Sequence, residues 1–555
     1  MKLITMLFFA VVLLLSSSTK YAQVPNFLWA VQAGGDDLDE GFGIATDGSG
    51  NSFVTGRFEG IATFGDSTLS SSLGSRDIFI AKINSAGNFL WAVKAGGDNS
   101  DEGYGIATDD LGSCFVTGWF EGTATFGDST LSSSIGSRDI FIAKINSAGE
   151  FLWAVQAGGI YTDQGFSIAT DGSGNSIVTG RFEGTATFGD TSLISSIGAR
   201  DIFIAKYDGD GNFLWVVQAG GLDNDEGLSI VTDGSDNIIV TGRFGGIANF
   251  GGTILTSAGS REIFIAKYNS DGDFLWAVRA GGIDFDEGKG ISTDNSGNII
   301  VTGWFTGDAD FGDSTLSSVV GSRDIFVTKI NSDGNFLWAI KAGGWDVDEG
   351  KSITTDDSDN IIVTGRFEET ATFGDTTNLT SAGVRDIFVA KYNSDGDFLW
   401  VAQAGGVGLA EGFGIATDGS GNSFVTGRFE GIATFGDSTL SSSLGSRDIF
   451  IAKLSPEVTR IEEELSLPQS FNLSQNYPNP FNPSTKIKFA VPKESNVNLS
   501  IYNVLGELVS KLVNEEKSSG IYEVEWNAIE LASGIYFYRL QAGSFVETKK
   551  MVLMK

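Results

Sequence analysis

The tripeptide Phe-Leu-Trp recurs seven times, with its tryptophan at Trp29, Trp91, Trp153, Trp215, Trp276, Trp338 and Trp400, so successive copies lie 62, 62, 62, 61, 62 and 62 residues apart. A period this regular describes one supersecondary unit copied along the chain, each copy burying its apolar face against its neighbours. The segment Arg-Asp-Ile-Phe is also sevenfold, at Arg76, Arg138, Arg200, Arg323, Arg385 and Arg447, with Arg261-Glu262 as the variant. Each copy follows its own tryptophan, so the two ends of the array are out of phase.

Within one unit, Gly41 to Thr46 alternates large and small residues, and Asp47-Gly48-Ser49-Gly50-Asn51 is turn chemistry. Ser52 to Phe58 reads as a second strand, a longer segment runs from Glu59 to Arg76, Asp77 to Ile83 reads as a third strand, and Asn84 to Asn88 turns into a fourth, Phe89 to Ala95. Four antiparallel strands per unit without helical periodicity predict a propeller blade; the rival, a stacked solenoid, usually has shorter units and distinct caps. The array starts with a lone fourth strand, Phe27 to Ala33, and stops after a third strand near Lys453. The expected fold is an all-β, seven-bladed propeller of four-stranded blades over residues 23–455, its N-terminal strand closing the last blade and leaving no open edge.

Composition supports this division. Pro25 is the only proline before Pro456, as expected of strands that use every ladder donor, whereas six follow from Pro456 onward. Residues 456–555 carry 12 acidic and 10 basic side chains, so nearly all of the formal charge of −34 falls on the repeats. A field of that sign disfavours nucleic acid and anionic membrane, which attract basic surfaces.

Lys2, the apolar run Leu3 to Leu15 and the small-residue exit to Ala22 have the form of a secretory signal peptide, assigned to residues 1–22; the run is too short to span a bilayer. No transmembrane segment is expected in the mature chain. The single Cys114 excludes an intramolecular disulfide and stands where other repeats carry Ser52 or Ser176, which makes it a small strand residue.

Asp47 to Asn51, Val54-Thr55-Gly56, Asp77-Ile78-Phe79 and Leu90-Trp91, repeated from about Phe27 to Leu454, resemble the bacterial seven-bladed β-propeller repeat family. The resemblance implies a fold and no single activity.

The loop into each first strand ends in an acidic pair: Asp39-Glu40, Asp101-Glu102, Asp225-Glu226, Asp286-Glu287 and Asp348-Glu349, with Asp163-Gln164 and Ala410-Glu411 as variants. A ring of carboxylates without histidine suits a hard cation such as Ca2+. The competing reading is that these acids satisfy loop backbone donors. The three residues before each pair vary most between repeats, and Tyr161, Phe285 and Trp345 among them are candidates for a contact patch that takes a glycan or protein ligand. Each Arg-Asp pair, such as Arg76-Asp77, reads as a structural ion pair, and Asp208 to Asn212 reads as a hairpin turn.

With no histidine in the chain, Ser-His-Asp, Cys-His and histidine-bound metal chemistry are all excluded. The expectation is a non-enzymatic binding or adhesion scaffold. The alternative is a carbohydrate-active enzyme, a glycoside hydrolase or lyase, using the repeated carboxylates.

Residues 456–475, with Glu462-Glu463-Glu464 and Pro468, read as a linker, and the short alternating segments of residues 476–555 read as a small immunoglobulin-like β-sandwich. The opening Asn476-Tyr477-Pro478-Asn479-Pro480-Phe481-Asn482-Pro483, the late strand with Gly534 and Tyr536, and the basic end with Lys549, Lys550 and Lys555 resemble the type A sorting domain of the bacterial type IX secretion system. That resemblance implies passage through an outer-membrane translocon, a sorting peptidase as a partner, and delivery to the cell surface or the medium.

Overall fold

The computed structural model describes residues 25–456, save positions 73, 110, 135, 320 and 444, and residues 470–555. The signal-peptide assignment and most of the linker fall outside the described residues. The chain forms two units, Met1–Val458 and Thr459–Lys555.

In the first unit the opening strand β1 (Phe27–Gly35) precedes the first full repeat: β2 (Glu40–Thr46), β3 (Ser52–Glu59), β4 (Ile61–Phe64), β5 (Ser67–Ser70), β6 (Arg76–Ile83) and β7 (Phe89–Gly97). β2, β3, β6 and β7 pair antiparallel in that order, and the pattern recurs from β8 (Asp101–Thr108) onward. On β6 the residues Ile78, Phe79, Ile80 and Ala81 are all buried, because both faces of a blade meet neighbouring blades. Each fully buried Phe or Ile side chain contributes on the order of 2 kcal/mol.

The long segment between β3 and β6 is itself a hairpin, β4–β5, which its sequence did not announce. It extends the previous blade's sheet: Gly34 pairs with Thr63 and Gly35 with Ala62. A Cβ on Gly35 would lie 1.9 Å from the Ile61 carbonyl oxygen, so the recurring Gly-Gly is where two backbones meet without room for a side chain.

The tryptophans fasten blade to blade. Trp29 Nε1 donates to the Ser85 carbonyl at 3.1 Å and Trp91 Nε1 to that of Ser147 at 3.0 Å, each reaching the β-turn of the next repeat. The indole of Trp29 lies flat against Gly87, whose φ of 87° the turn requires. Nearer the axis, Thr108 Oγ1 donates to the Thr46 carbonyl at 2.8 Å, and Thr46 Oγ1 to the Thr417 carbonyl at 2.7 Å.

That last bond crosses from the first repeat to the last, and the strands do the same. β1 pairs antiparallel with Asp448–Leu454, in the register Trp29 to Lys453, Val31 to Ile451 and Ala33 to Ile449. The phase offset between tryptophan and Arg-Asp-Ile-Phe is resolved here: the first fourth strand completes the seventh blade. The apolar cluster at this junction accordingly mixes Ile44, Val54 and Phe58 with Phe424, Ile449 and Ile451.

The second unit has two sheets. One joins Asn472–Leu473, Ser484–Val491 and Gly520–Asn527; the other joins Leu508–Lys517, Ser495–Tyr502, Gly534–Ala542 and Phe545–Leu553. Ile487, Phe489, Leu499, Ile501, Tyr538 and Leu540 alternate inward from both sheets to form one core, which makes a small β-sandwich.

Candidate functional site

The loops into the first strands and the ends of the second strands come together at one end of the propeller. There the aspartate of each acidic pair is a staple. Asp39 accepts from the Gly35 N–H at 2.8 Å with one carboxylate oxygen and from the Glu59 N–H at 3.1 Å with the other. Asp101 does the same with Gly97 (2.9 Å) and Glu121 (3.0 Å), and Asp163 with Gly159 (2.8 Å) and Glu183 (2.9 Å). The pattern continues at Asp225 with Gly221 and Gly245, Asp286 with Gly282 and Thr306, and Asp348 with Gly344 and Glu368. All six are essentially inaccessible. Burial pushes the carboxyls up, to about 7 for Asp39 and about 8 for Asp101, Asp163 and Asp348, against the pull of those backbone donors.

The glutamates form a ring of ion pairs with arginines at the ends of the second strands. Arg57 bridges Glu40, at 2.7 Å, and Glu102 of the next blade. Arg243 bridges Glu226 at 2.7 Å and Glu287 at 3.4 Å, and Arg366 bridges Glu349 at 3.1 Å and Glu411 at 2.8 Å. Burial opposes ionisation of Glu40 and Glu226, but their two facing guanidiniums outweigh it and hold both carboxyls below the usual range. Where the second strand carries tryptophan instead, a third-strand arginine stacks on the ring, Arg138 over Trp119 at 3.9 Å and Arg323 over Trp304 at 4.1 Å.

These partners leave the acidic pairs engaged as staples and ion pairs. Among the described residues no group of three or more His, Cys, Asp or Glu side chains is disposed to hold a metal ion. The bridging arginines were the part that sequence reasoning passed over; the signal was the position after Val-Thr-Gly, which holds Arg57, Arg181, Arg243, Arg366 and Arg428 in five repeats and tryptophan in the other two.

The expected Arg76-Asp77 ion pair does not form. Neighbours on a strand point to opposite faces, so Arg76 reaches Glu102 at 3.3 Å while Asp77 pairs with Lys94 at 2.9 Å. Asp208 does cap a hairpin turn, accepting from the Asp210 and Asn212 N–H groups at 3.0 and 2.8 Å.

Tyr161, Phe285 and Trp345 stand on the entry loops of the third, fifth and sixth blades, exposed by 49%, 48% and 80%. The Tyr161 ring lies against Gly184, and the Arg261 guanidinium lies 5.4 Å from the centre of Phe285. Ile160 and Ile283 are exposed on the third-blade and fifth-blade loops, and Leu222 and Val407 on the entry loops of the fourth and seventh blades. The first-strand position after Glu-Gly gives an aromatic arc, in which Phe42 touches Phe413 at 5.6 Å and Tyr104 at 5.1 Å, and Tyr104 touches Phe166 at 5.7 Å.

In the second unit the opening motif is built into the sandwich. Buried Asn476 donates through Nδ2 to the Pro478 carbonyl at 3.1 Å and to Thr485 Oγ1 at 2.9 Å, while its own N–H donates to the Tyr538 hydroxyl at 2.8 Å. Tyr477 is exposed, and the Tyr477-Pro478 and Asn479-Pro480 bonds are cis. Phe481 is buried beside Trp526, the Pro483 carbonyl accepts from the Ala528 N–H at 2.9 Å, and Asn479 Oδ1 accepts from the Val552 N–H at 2.9 Å. Asn482 lies between these two anchors in the same loop. Tyr536, on the strand that opens at Gly534, donates to the Ala532 carbonyl at 2.9 Å. Lys549 pairs with Glu547 at 3.4 Å, the Lys550 carbonyl accepts from Gln475 Nε2 at 2.9 Å, and the Lys555 N–H donates to Ser533 Oγ at 3.0 Å.

The family model described as "Secretion system C-terminal sorting domain" matches residues 475–554. The tail is a secretion-system sorting domain. A chain bearing this sorting domain is exported, to the cell surface or the extracellular space. An uncharacterized WD repeat-containing protein of Acanthamoeba polyphaga mimivirus is 26% identical over 72% of the chain, which spans 36% of that protein's length. Similar solved structures include PorZ of Porphyromonas gingivalis, a surface component of the type IX secretion system (11% identity, 92% of this chain and 75% of that one, TM-score 0.24). A puromycin hydrolase is another (8% identity, 82% and 59%, TM-score 0.38). Among the described residues no helix is long and apolar enough to cross a membrane.

Proposed function

We infer that the exported propeller is a non-enzymatic binding or adhesion scaffold, taking a glycan or protein ligand on the loops into its first strands. The sorting domain delivers it through the outer-membrane translocon, where the sorting peptidase acts on the tail. The observation that carries the reading is the uneven exposure of apolar side chains on those loops. Ile160, Tyr161, Leu222, Ile283, Phe285, Trp345 and Val407 stand exposed from the third blade to the seventh, while the loops into the first two blades carry Asp36-Asp37-Leu38 and Asp98-Asn99-Ser100. Exposed apolar side chains gathered on one set of loops support a binding face there.

Engagement of the acids as staples and ion pairs supports a binding role over a hydrolytic one, because general acid–base work needs a carboxyl that reaches substrate. The test is a glycan array and a surface-protein capture with the secreted full chain. Tyr161→Ala, Phe285→Ala and Trp345→Ala should each weaken the ligand found, by roughly tenfold where the ring is a central anchor. A panel of polysaccharides should show no turnover. Hydrolysis lost on substitution of Glu287 or Glu349 would replace this reading with the enzymatic one.

A further inference from the structure

Comparison of the seven repeats isolates one sector where the pattern changes sign. After Glu-Gly in the first strand, Gln-Gly in the third repeat, five repeats carry Phe42, Tyr104, Phe166, Leu228 and Phe413, but the fifth and sixth carry Lys289 and Lys351. At the end of the second strand five repeats carry Glu59, Glu121, Glu183, Glu368 and Glu430, but the fourth and fifth carry Gly245 and Thr306. Those rim glutamates lie 3.5 to 4.0 Å from third-strand arginines in four blades, as in Arg385 with Glu368 and Arg76 with Glu59. Arg261 and Arg323 stand in the blades that have lost this partner.

Two substitutions add a positive charge, two remove a negative one, and all four fall on adjacent blades. The two lysines line a recess of about 500 Å3 together with Arg243, Arg261, Arg323 and Arg366 and two carboxylates, Glu287 and Glu349. Glu349 faces Arg323 at 2.5 Å, Arg366 at 3.1 Å and also Lys351, so one carboxylate is shared among three cations. Arg261 instead lies over Phe285. In a chain of net charge −34 this is a local excess of positive charge with an aromatic wall, Phe285 and Trp304. Burial, and then the neighbouring Lys289 and Arg366, depress the Lys351 ammonium against the pull of Glu349.

The geometry points to this recess as a binding site for an acidic saccharide, a sugar bearing carboxylate or sulfate, with the anion held by the arginines and lysines and the ring packed on Phe285. Guanidinium groups match carboxylate and sulfate oxygens in pairs, and aromatic faces complement the apolar faces of a sugar. The recess has the volume of a small-ligand site. This assignment rests on the binding reading above and names its ligand class.

The experiment is calorimetric titration of the secreted full chain with a uronic-acid oligosaccharide, a sulfated one, and the carboxyl-reduced neutral counterpart. One of the two acidic probes should bind at least about tenfold more tightly than the neutral one, and its affinity should fall with added salt. Lys289→Phe with Lys351→Phe, which installs the residue that three other repeats carry, should reduce that affinity about tenfold or more. Thr306→Glu, restoring the rim glutamate, should do the same, and melting curves of both variants identify any loss of fold. Equal binding of acidic and neutral probes, or unchanged affinity in both folded variants, overturns the assignment. If only a neutral glycan or a protein ligand binds, this assignment fails and the scaffold reading stands; if no ligand of any class binds, both fail.

Discussion

Arg428 and Glu40 lie 388 positions apart in sequence and form an ion pair across the junction between the last blade and the first. The same guanidinium reaches Glu411 within its own blade at 2.8 Å, so the charge ring crosses the seam as it crosses other blade boundaries. The seam is held besides by β1 in the seventh blade and by the Thr46 hydroxyl on Thr417.

Deleting β1 (Phe27–Gly35) should therefore destabilise the whole propeller. It strips Ile449 and Ile451 of cover and leaves Asp448–Leu454 as an open edge, a loss of about 4 kcal/mol or more with a tendency to aggregate. Thermal melting of the deletion beside the intact chain measures it, and equal midpoints would remove the closure argument.

The staple role of Asp101 predicts that Asp101→Ala orphans the Gly97 and Glu121 N–H groups, costing about 2–4 kcal/mol. Asp101→Asn, which keeps one acceptor, should cost roughly half as much. Denaturant titration separates the two variants. Because these oxygens are already occupied, calcium titration of the intact chain should give no binding heat, and a stoichiometric site would restore the cation reading.

Stability should fall as pH rises from about 5 to 8.5. The buried aspartates have ordinary values of 3.8 raised by burial, to about 6 for Asp286, about 7 for Asp225 and about 8 for Asp348. Between those limits the folded chain binds more protons than the unfolded one, so their contribution is complete below about pH 4 and lost through the folded values. The depressed Glu40, Glu226 and Glu349 act oppositely, losing their contribution only as pH drops below 4.5. The melting temperature should peak near pH 5; a steady rise toward pH 8.5 would contradict the burial argument.

In the sorting domain, Asn476→Ala should cost about 1–2 kcal/mol by removing the bonds from its amide to the Pro478 carbonyl and to Thr485 Oγ1, the carbonyl keeping only the Thr485 hydroxyl. Tyr477→Ala, at an exposed position, should leave stability unchanged. Fractionation of an exporting host should find the Asn476 variant retained in the periplasm, and normal surface delivery of a demonstrably unstable variant would separate fold from sorting.

The blade, its four strands and its closure were legible in the primary structure because strand alternation and turn residues are local signals, and a sevenfold period repeats them until chance is excluded. The hairpin β4–β5 was not legible, since its strands are only four residues long and are held by pairing with each other and with the previous blade at Gly34 and Gly35. The sorting motif was legible as spacing and composition. That Asn476 is its buried hydrogen-bonding centre while Tyr477 points outward required the sandwich.

By itself, then, the sequence determined the repeat, the strand order within a blade, the exclusion of histidine chemistry and the exported destination. Only tertiary structure decided what the acids do. Asp39 and Glu40 are adjacent in the chain, yet the pleat sends one carboxylate inward to two backbone N–H groups and the other toward arginines of two different blades. Apart from Gly35, four positions away, the partners that fix those roles lie 17 to 388 positions away, beyond the reach of any local pattern.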